Sequence, residues 1–243
     1  MARALLAVGL LCALAITYQL LRKPTETLAV VPTSAKMPSS TWSAYGALFR
    51  EYSTDIVRPE LLAALVQVET AGDPLARTYW RWQWSWNPLD LYGPASSAVG
   101  LLQITDGTLA DARHLCIHQH RVVREDPWQG TRLCSPDTYV RWLPSHAVEM
   151  TAAWLDQSIR ETLRGNLARA TLGQRRRLAA VIHLCGRRRG AAFARRAFRA
   201  LPGERCGDHG LAEYLARVDH LTDEFGRLAA SDRDATALTS TDG

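Results

Sequence analysis

Leu62, Leu65 and Val66 stand seven, four and three residues before Glu69. That spacing puts all four on one face of an α-helix. Arg58-Pro59-Glu60 opens the helix, because proline is tolerated in a first turn and glutamate suits the positive end of the helix dipole. Gly72 closes it. The chain must therefore cover this apolar stripe with the rest of its fold, and a carboxyl group sits at the stripe's inner end. Loss of hydration there favours the neutral form of a carboxyl group, the form able to donate a proton. The competing reading is a last-turn glutamate pointing into water, since ionised side chains are seldom buried.

Helical periodicity accounts for most of the remaining chain. Trp42, Tyr45, Leu48, Phe49 and Tyr52 recur at three and four residues and give one helix a broad aromatic face to bury. Thr105 or Asp106 caps a helix running through Ala112. Val148, Ala152, Leu155, Ile159 and Leu163 mark a helix buried on one face, and Leu178, Val181, Ile182 and Cys185 mark another that ends at Gly186. Leu211, Tyr214, Leu215, Val218, Leu221, Phe225 and Leu228 form an amphipathic C-terminal helix. The 243 residues suffice for one domain with a sizeable core plus appendages, and the expected fold class is mainly α.

Glu69-Thr70-Ala71-Gly72, followed by Ser97-Ala98-Val99-Gly100-Leu101-Leu102-Gln103-Ile104, resembles the paired core motifs of the soluble lytic transglycosylase domain, a family of the lysozyme-like superfamily, in the same order. Tyr214-Leu215-Ala216-Arg217-Val218 is similar, more weakly, to the family's closing Tyr-Val-x-x-Val box. The resemblance implies a lysozyme-like helical domain with a catalytic cleft, cutting the β-1,4 bond between N-acetylmuramic acid and N-acetylglucosamine in peptidoglycan. It also implies that Glu69 is the catalytic acid and base, that Gln103 and the Gly100 backbone hold an acetamido group, and that Tyr214 lies near the glutamate. The family's third motif, Ala-Tyr-Asn-Ala-Gly, falls on Ile182-His183-Leu184-Cys185-Gly186. Only the glycine is kept, and His183 stands in the tyrosine's place as a substrate-facing or a structural residue. The serine that the family carries before the glycine box falls on Pro94, leaving Ser96 or Ser97 to substitute. No cofactor is implied. Two other functions stay open: a muramidase hydrolysing the same bond, and a non-catalytic glycan-binding or scaffold protein, which the altered third motif favours and Glu69 disfavours.

Residues 4–21 form an almost unbroken apolar run between Arg3 and Arg22-Lys23-Pro24, just long enough to span a bilayer. Residues 1–23 read as an uncleaved anchor or a signal peptide, which places the chain in the periplasm, held to the inner membrane. Residues 24–41, rich in Pro, Thr and Ser, read as a flexible tether, residues 42–230 as the folded domain, and residues 231–243 as a disordered tail. A net charge of +5 suits an anionic partner. The arginines at 175–177, 187–189, 195–196 and 199 read as solvated helix faces, or as attraction for carboxylates of peptide stems. No nucleic-acid-reading module accompanies them. The expected partners are peptidoglycan glycan strands, the inner membrane, and envelope-assembly or secretion-system proteins.

Between the two motifs Trp80, Trp82, Trp84 and Trp86 alternate strictly, a strand periodicity that puts four indoles on one face of a ribbon. They either pack on the domain or form a platform for sugar rings. Apart from Cys12, the cysteines of an exported chain read as two bridges. Three pairings are open; the local one joins Cys116 with Cys134 and Cys185 with Cys206. His114, Cys116, His118 and His120 match no common zinc spacing and crowd too closely to converge without a sharp turn, so no metal site is expected.

Overall fold

The computed structural model describes residues 9, 10, 14, 36–78, 80–82, 84, 86, 92–94, 96–124 and 139–241, with 80–82, 92–94 and 235–241 described by their backbone alone. The described residues are mainly helical. The helices are α1 (Pro38–Glu51), α2 (Pro59–Thr70), α3 (Asp106–Ala112), α4 (Pro144–Leu163), α5 (Leu172–Cys185), α6 (Arg187–Arg195) and α7 (Leu211–Thr241). Three antiparallel pairs of short strands accompany them: β1 (Trp80–Trp82) with β2 (Tyr92–Pro94), β3 (Leu115–His118) with β4 (Arg121–Arg124), and β5 (Arg205–Cys206) with β6 (His209–Gly210).

The fold is organised around α2. Leu61, Leu62, Ala63, Ala64, Leu65 and Val66 are consecutive, and none is more than 2% exposed. The stripe expected on one face is thus apolar all round, the pattern of a helix enclosed by others. α1 and α7 pack along it, and α7 also meets α5. α4 is the second buried helix and gathers α1, α3, α5, α6 and β3. Its Glu149 is buried, and the carboxylate accepts a hydrogen bond from the Ile117 N–H (3.0 Å), tying the β3–β4 hairpin to the helical core. The result is that α2 is rigidly enclosed up to its last turn, where Glu69 emerges.

Two boundaries differ from expectation. Thr41 is fully buried and the Lys36 N–H donates to the Ala71 carbonyl oxygen (2.9 Å), so ordered packing reaches into the stretch read as a tether. At the other end α7 runs to Thr241 instead of yielding to a disordered tail. The Trp42 indole donates to Asp232 (2.8 Å) and Arg50 pairs with the same carboxylate (3.4 Å), which extends the α7–α1 packing beyond Leu228.

The alternating tryptophans form strand only over 80–82, in register Trp80↔Pro94 and Trp82↔Tyr92. Trp84 and Trp86 are 88% and 94% exposed. The cluster His114 to His120 becomes a tight hairpin, with Gln119 and His120 both at positive φ (49° and 60°). No helix among the described residues is long and apolar enough to cross a membrane. The apolar run at 4–21 lies outside them, apart from Gly9, Leu10 and Leu14.

Of the three cysteine pairings, the structure has the one with Cys185 joined to Cys206, Cα atoms 5.4 Å apart, linking the end of α5 to β5. Cys116 is also disulfide-bonded; Cys134, the partner expected for it, lies outside the described residues. A bridge closing a loop of 21 residues stabilises by about 3 kcal/mol, mainly by restricting the unfolded chain. Cys185→Ser with Cys206→Ser is therefore expected to lower the melting temperature by roughly 6–12 °C at about 2–4 °C per kcal/mol, measured by circular dichroism. An unchanged melting temperature would mean that the bridge carries no stability.

Candidate active site

α2 ends at Thr70, and Ala71 and Gly72 both take left-handed backbone (φ 48° and 79°). The chain turns out of the helix immediately after Glu69, leaving that side chain 15% exposed at the end of a buried rod. The Thr70 hydroxyl donates to the Leu101 carbonyl oxygen (2.9 Å), which fixes the helix end to the 97–104 loop. From the opposite side α7 brings Tyr214, 145 residues away in sequence and 5% exposed, and its hydroxyl donates to Glu69 Oε1 (2.7 Å). α5 brings His183, whose Nε2 is 3.6 Å from the same Oε1. Glu69 Oε2 has no partner among the described residues.

Burial sets the charge of both neighbours. It pushes the Tyr214 hydroxyl well above its ordinary range, reinforced by the Glu69 charge and by the hydrogen bond, and so keeps the phenol a donor. Burial likewise holds His183 below the ordinary histidine value of 6.5, against the opposing pull of Glu69. The imidazole is thus neutral at pH 7.

The glycine loop is built for close approach. Gly100 has φ +80°, and a Cβ there would collide with the Arg141 carbonyl oxygen. Its N–H donates to the Ala76 carbonyl oxygen (3.1 Å). The Gln103 side chain donates from Nε2 to the carbonyl oxygens of Ala76 and Gly100 (3.0 Å each). The Gly100 N–H and the Gln103 N–H groups are thus engaged with backbone carbonyls, and Gln103 Oε1 has no partner among the described residues. Ser96 and Ser97 are also engaged in local structure. Ser96 Oγ accepts from the Ala98 N–H (3.1 Å), and Ser97 Oγ accepts from the Asp106 N–H at the start of α3 (3.0 Å).

Beside this loop lies a cleft of about 340 Å³, walled by Gln103, Thr105 and Thr108 on one side, Trp154 of α4 on another, and His183 and Arg187 at the end of α5 and the start of α6. Asp111 is the one carboxylate among its lining residues, and it is paired with Arg187 (2.6 Å). The structure thus brings Glu69, Tyr214 and His183 together, with Gln103 on the cleft that His183 also lines. The indoles of Trp84 and Trp86 stand in solvent, and the side chains of Trp80 and Trp82 lie outside the described residues. Arg141 went unread in the sequence. Its guanidinium donates to the carbonyl oxygens of Ser97 (2.8 Å) and Ile104 (3.0 Å) and pairs with Asp106 (2.8 Å), clasping both ends of the loop. No local pattern marks a residue whose partners are distant backbone carbonyls. Among the described residues no group of His, Cys, Asp and Glu is placed to hold a metal ion.

These shifts have a consequence for stability. A histidine held neutral in the fold leaves stability intact above pH 6.5 and removes it as pH falls below 6.5, where the unfolded chain takes up the proton more readily. Tyr214, and Tyr52 pushed up to about 12 by burial and by Glu149, remove stability as pH rises past 10. Urea midpoints are expected to be highest near neutrality, with the acid-side loss smaller in His183→Gln; an equal loss in that variant would assign it to other groups.

No family model matches this chain, and no curated protein matches it.

Proposed function

We propose that the chain is a peptidoglycan lytic transglycosylase of lysozyme-like fold, with Glu69 as its only acid–base group. The observation that carries this reading is the Glu69 carboxyl group, anchored through Oε1 by Tyr214, with no partner for Oε2 among the described residues. One oxygen is held and the other is free to exchange a proton, as a single residue acting first as acid and then as base requires. Asp111, the carboxylate on the cleft, is neutralised by Arg187, which argues against the paired carboxylates of the usual glycosidases.

In the proposed reaction Oε2 gives its proton to the glycosidic oxygen as the bond to C1 of N-acetylmuramic acid breaks. The resulting carboxylate then takes the proton of the C6 hydroxyl while that oxygen bonds to C1. The product carries a 1,6-anhydro ring, no water is consumed, and Glu69 returns to its starting state. Tyr214 stays protonated throughout and steadies the carboxylate between the two steps. The apolar run at 4–21 and the Cys185–Cys206 bridge support placement in the periplasm, tethered to the inner membrane, with glycan strands as the partner. Wall turnover and service to an envelope-spanning assembly both fit such a placement.

Digestion of purified sacculi tests the reading. The protein is expected to release soluble muropeptides whose reducing ends are 1,6-anhydro, identified by mass. Intact sacculi after prolonged digestion, alongside retained binding, would make it a glycan-binding protein.

A further inference from the structure

Glu69 Oε1 has two neighbours able to donate to it, the Tyr214 hydroxyl at 2.7 Å and His183 Nε2 at 3.6 Å. The His183 contact is longer than a hydrogen bond, His183 has no hydrogen-bond partner among the described residues, and its side chain is 9% exposed. The Glu69 oxygen is therefore the group that fixes its tautomer, favouring a proton on Nε2. Among the described residues, Glu69 is the one charge that acts on the imidazole. Tyr214 of α7 shares the same oxygen, with the His209 ring of β6 behind it at 6.3 Å. Asp111 of α3 and Arg187 of α6 line the cleft that His183 lines but cancel each other, and α4 contributes the uncharged Thr151 and Trp154.

We propose that His183 is a positioning residue for Glu69: as a neutral imidazole donating from Nε2 to Oε1 beside Tyr214, it confines the transferable proton to Oε2 and directs that oxygen at the glycan. This rests on the transglycosylase reading of the site. With Tyr214 on Oε1 and the imidazole drawn in from 3.6 Å to join it, no room is left there for the carboxyl proton, so the proton leaves from Oε2 to the glycosidic oxygen and returns to Oε2 from the C6 hydroxyl. The imidazole neither gains nor loses a proton in the cycle. An imidazolium would be different. It would hold Glu69 as a carboxylate, withholding the acid step, and would make that carboxylate a poorer base. Burial keeps this state away until the pH is acid, so His183 sets the acid limb of the pH profile.

Two measurements decide it, both on the full chain. In sacculus digestion, His183→Phe is expected to lower kcat about tenfold with KM unchanged, the scale of one lost hydrogen bond to a charged group. His183→Gln, whose amide still donates but does not titrate, is expected to restore most of that loss and to flatten the acid limb. A rise in KM at every pH would make His183 a glycan contact, and an even loss with the wild-type pH shape would make it structural; either overturns the proposal. The second measurement needs no turnover. The His183 imidazole, followed by nitrogen NMR, is expected to protonate at lower pH in Glu69→Gln, because the carboxylate that favours its charge is gone. An unchanged titration overturns the pairing. Wild-type protein that leaves sacculi intact would remove the transglycosylase reading alone, and the NMR titration would still decide whether the two side chains are coupled.

Discussion

Glu69→Gln is expected to abolish sacculus cleavage, with a loss of about 100-fold or more in rate, the usual contribution of a positioned acid–base group. The geometry makes this variant informative. The amide oxygen can take the place of Oε1 and keep the Tyr214 bond, so the side chain stays anchored while the proton needed at the Oε2 position is gone. Side-chain volume hardly changes at a site that is 15% exposed, so the melting temperature and sacculus pull-down are expected to match the wild type. Release of soluble muropeptides followed over time checks the rate. A variant that cleaves within tenfold of wild type would take Glu69 out of the chemistry.

Gly100→Ala carries the largest expected loss of stability. The residue sits at φ +80°, where an L side chain costs roughly 1–2 kcal/mol. Its Cβ would also run into the Arg141 carbonyl oxygen and press within 3.2 Å of the Trp142 Cα, an overpacking that costs about 1–3 kcal/mol. Neither strand of the contact is free to retreat. Gly100 is held by Ala76 and Gln103, and Arg141 is held by Ser97, Ile104 and Asp106. The sum, about 2–5 kcal/mol, corresponds to a fall in melting temperature of roughly 4–20 °C for a domain of this size. Gly226→Ala serves as control, because it lies within α7 and a Cβ there meets nothing within 4 Å. It is expected to leave stability unchanged or raise it by up to about 1 kcal/mol. Equal melting temperatures for the two variants would show that the loop yields.

The helical frame was readable because its apolar residues repeat at three and four. α2 starts at Pro59 after Arg58 and stops before Gly72, and α7 starts at Leu211, where the periodicity begins. α6 was not readable, since its sequence is mostly arginine, alanine and glycine and only Gly190 and Phe193 are buried. The arginine clusters looked like a solvated surface, yet Arg176 pairs with Asp219 and Asp223 (2.9 Å each) and Arg196 with Glu204 (2.9 Å). Arg176 and Asp223 are 47 residues apart, and Arg196 and Glu204 are eight apart across the end of α6, so neither pair leaves a helical period. The same reason hid what the glycine loop does with Gln103 and Ser97, whose partners are backbone groups delivered by the fold. Tyr214 and His183 were marked by motif position, but their approach to one Glu69 oxygen arises only when α5 and α7 close on the end of α2.

Digestion in water enriched in oxygen-18 shows which oxygen attacks C1. With Glu69 activating the sugar's own C6 hydroxyl, the released muropeptides are expected to be anhydro species carrying no label. Muropeptides one water heavier, with one oxygen-18 at the reducing end, would show that Glu69 activates water and that the enzyme is a muramidase.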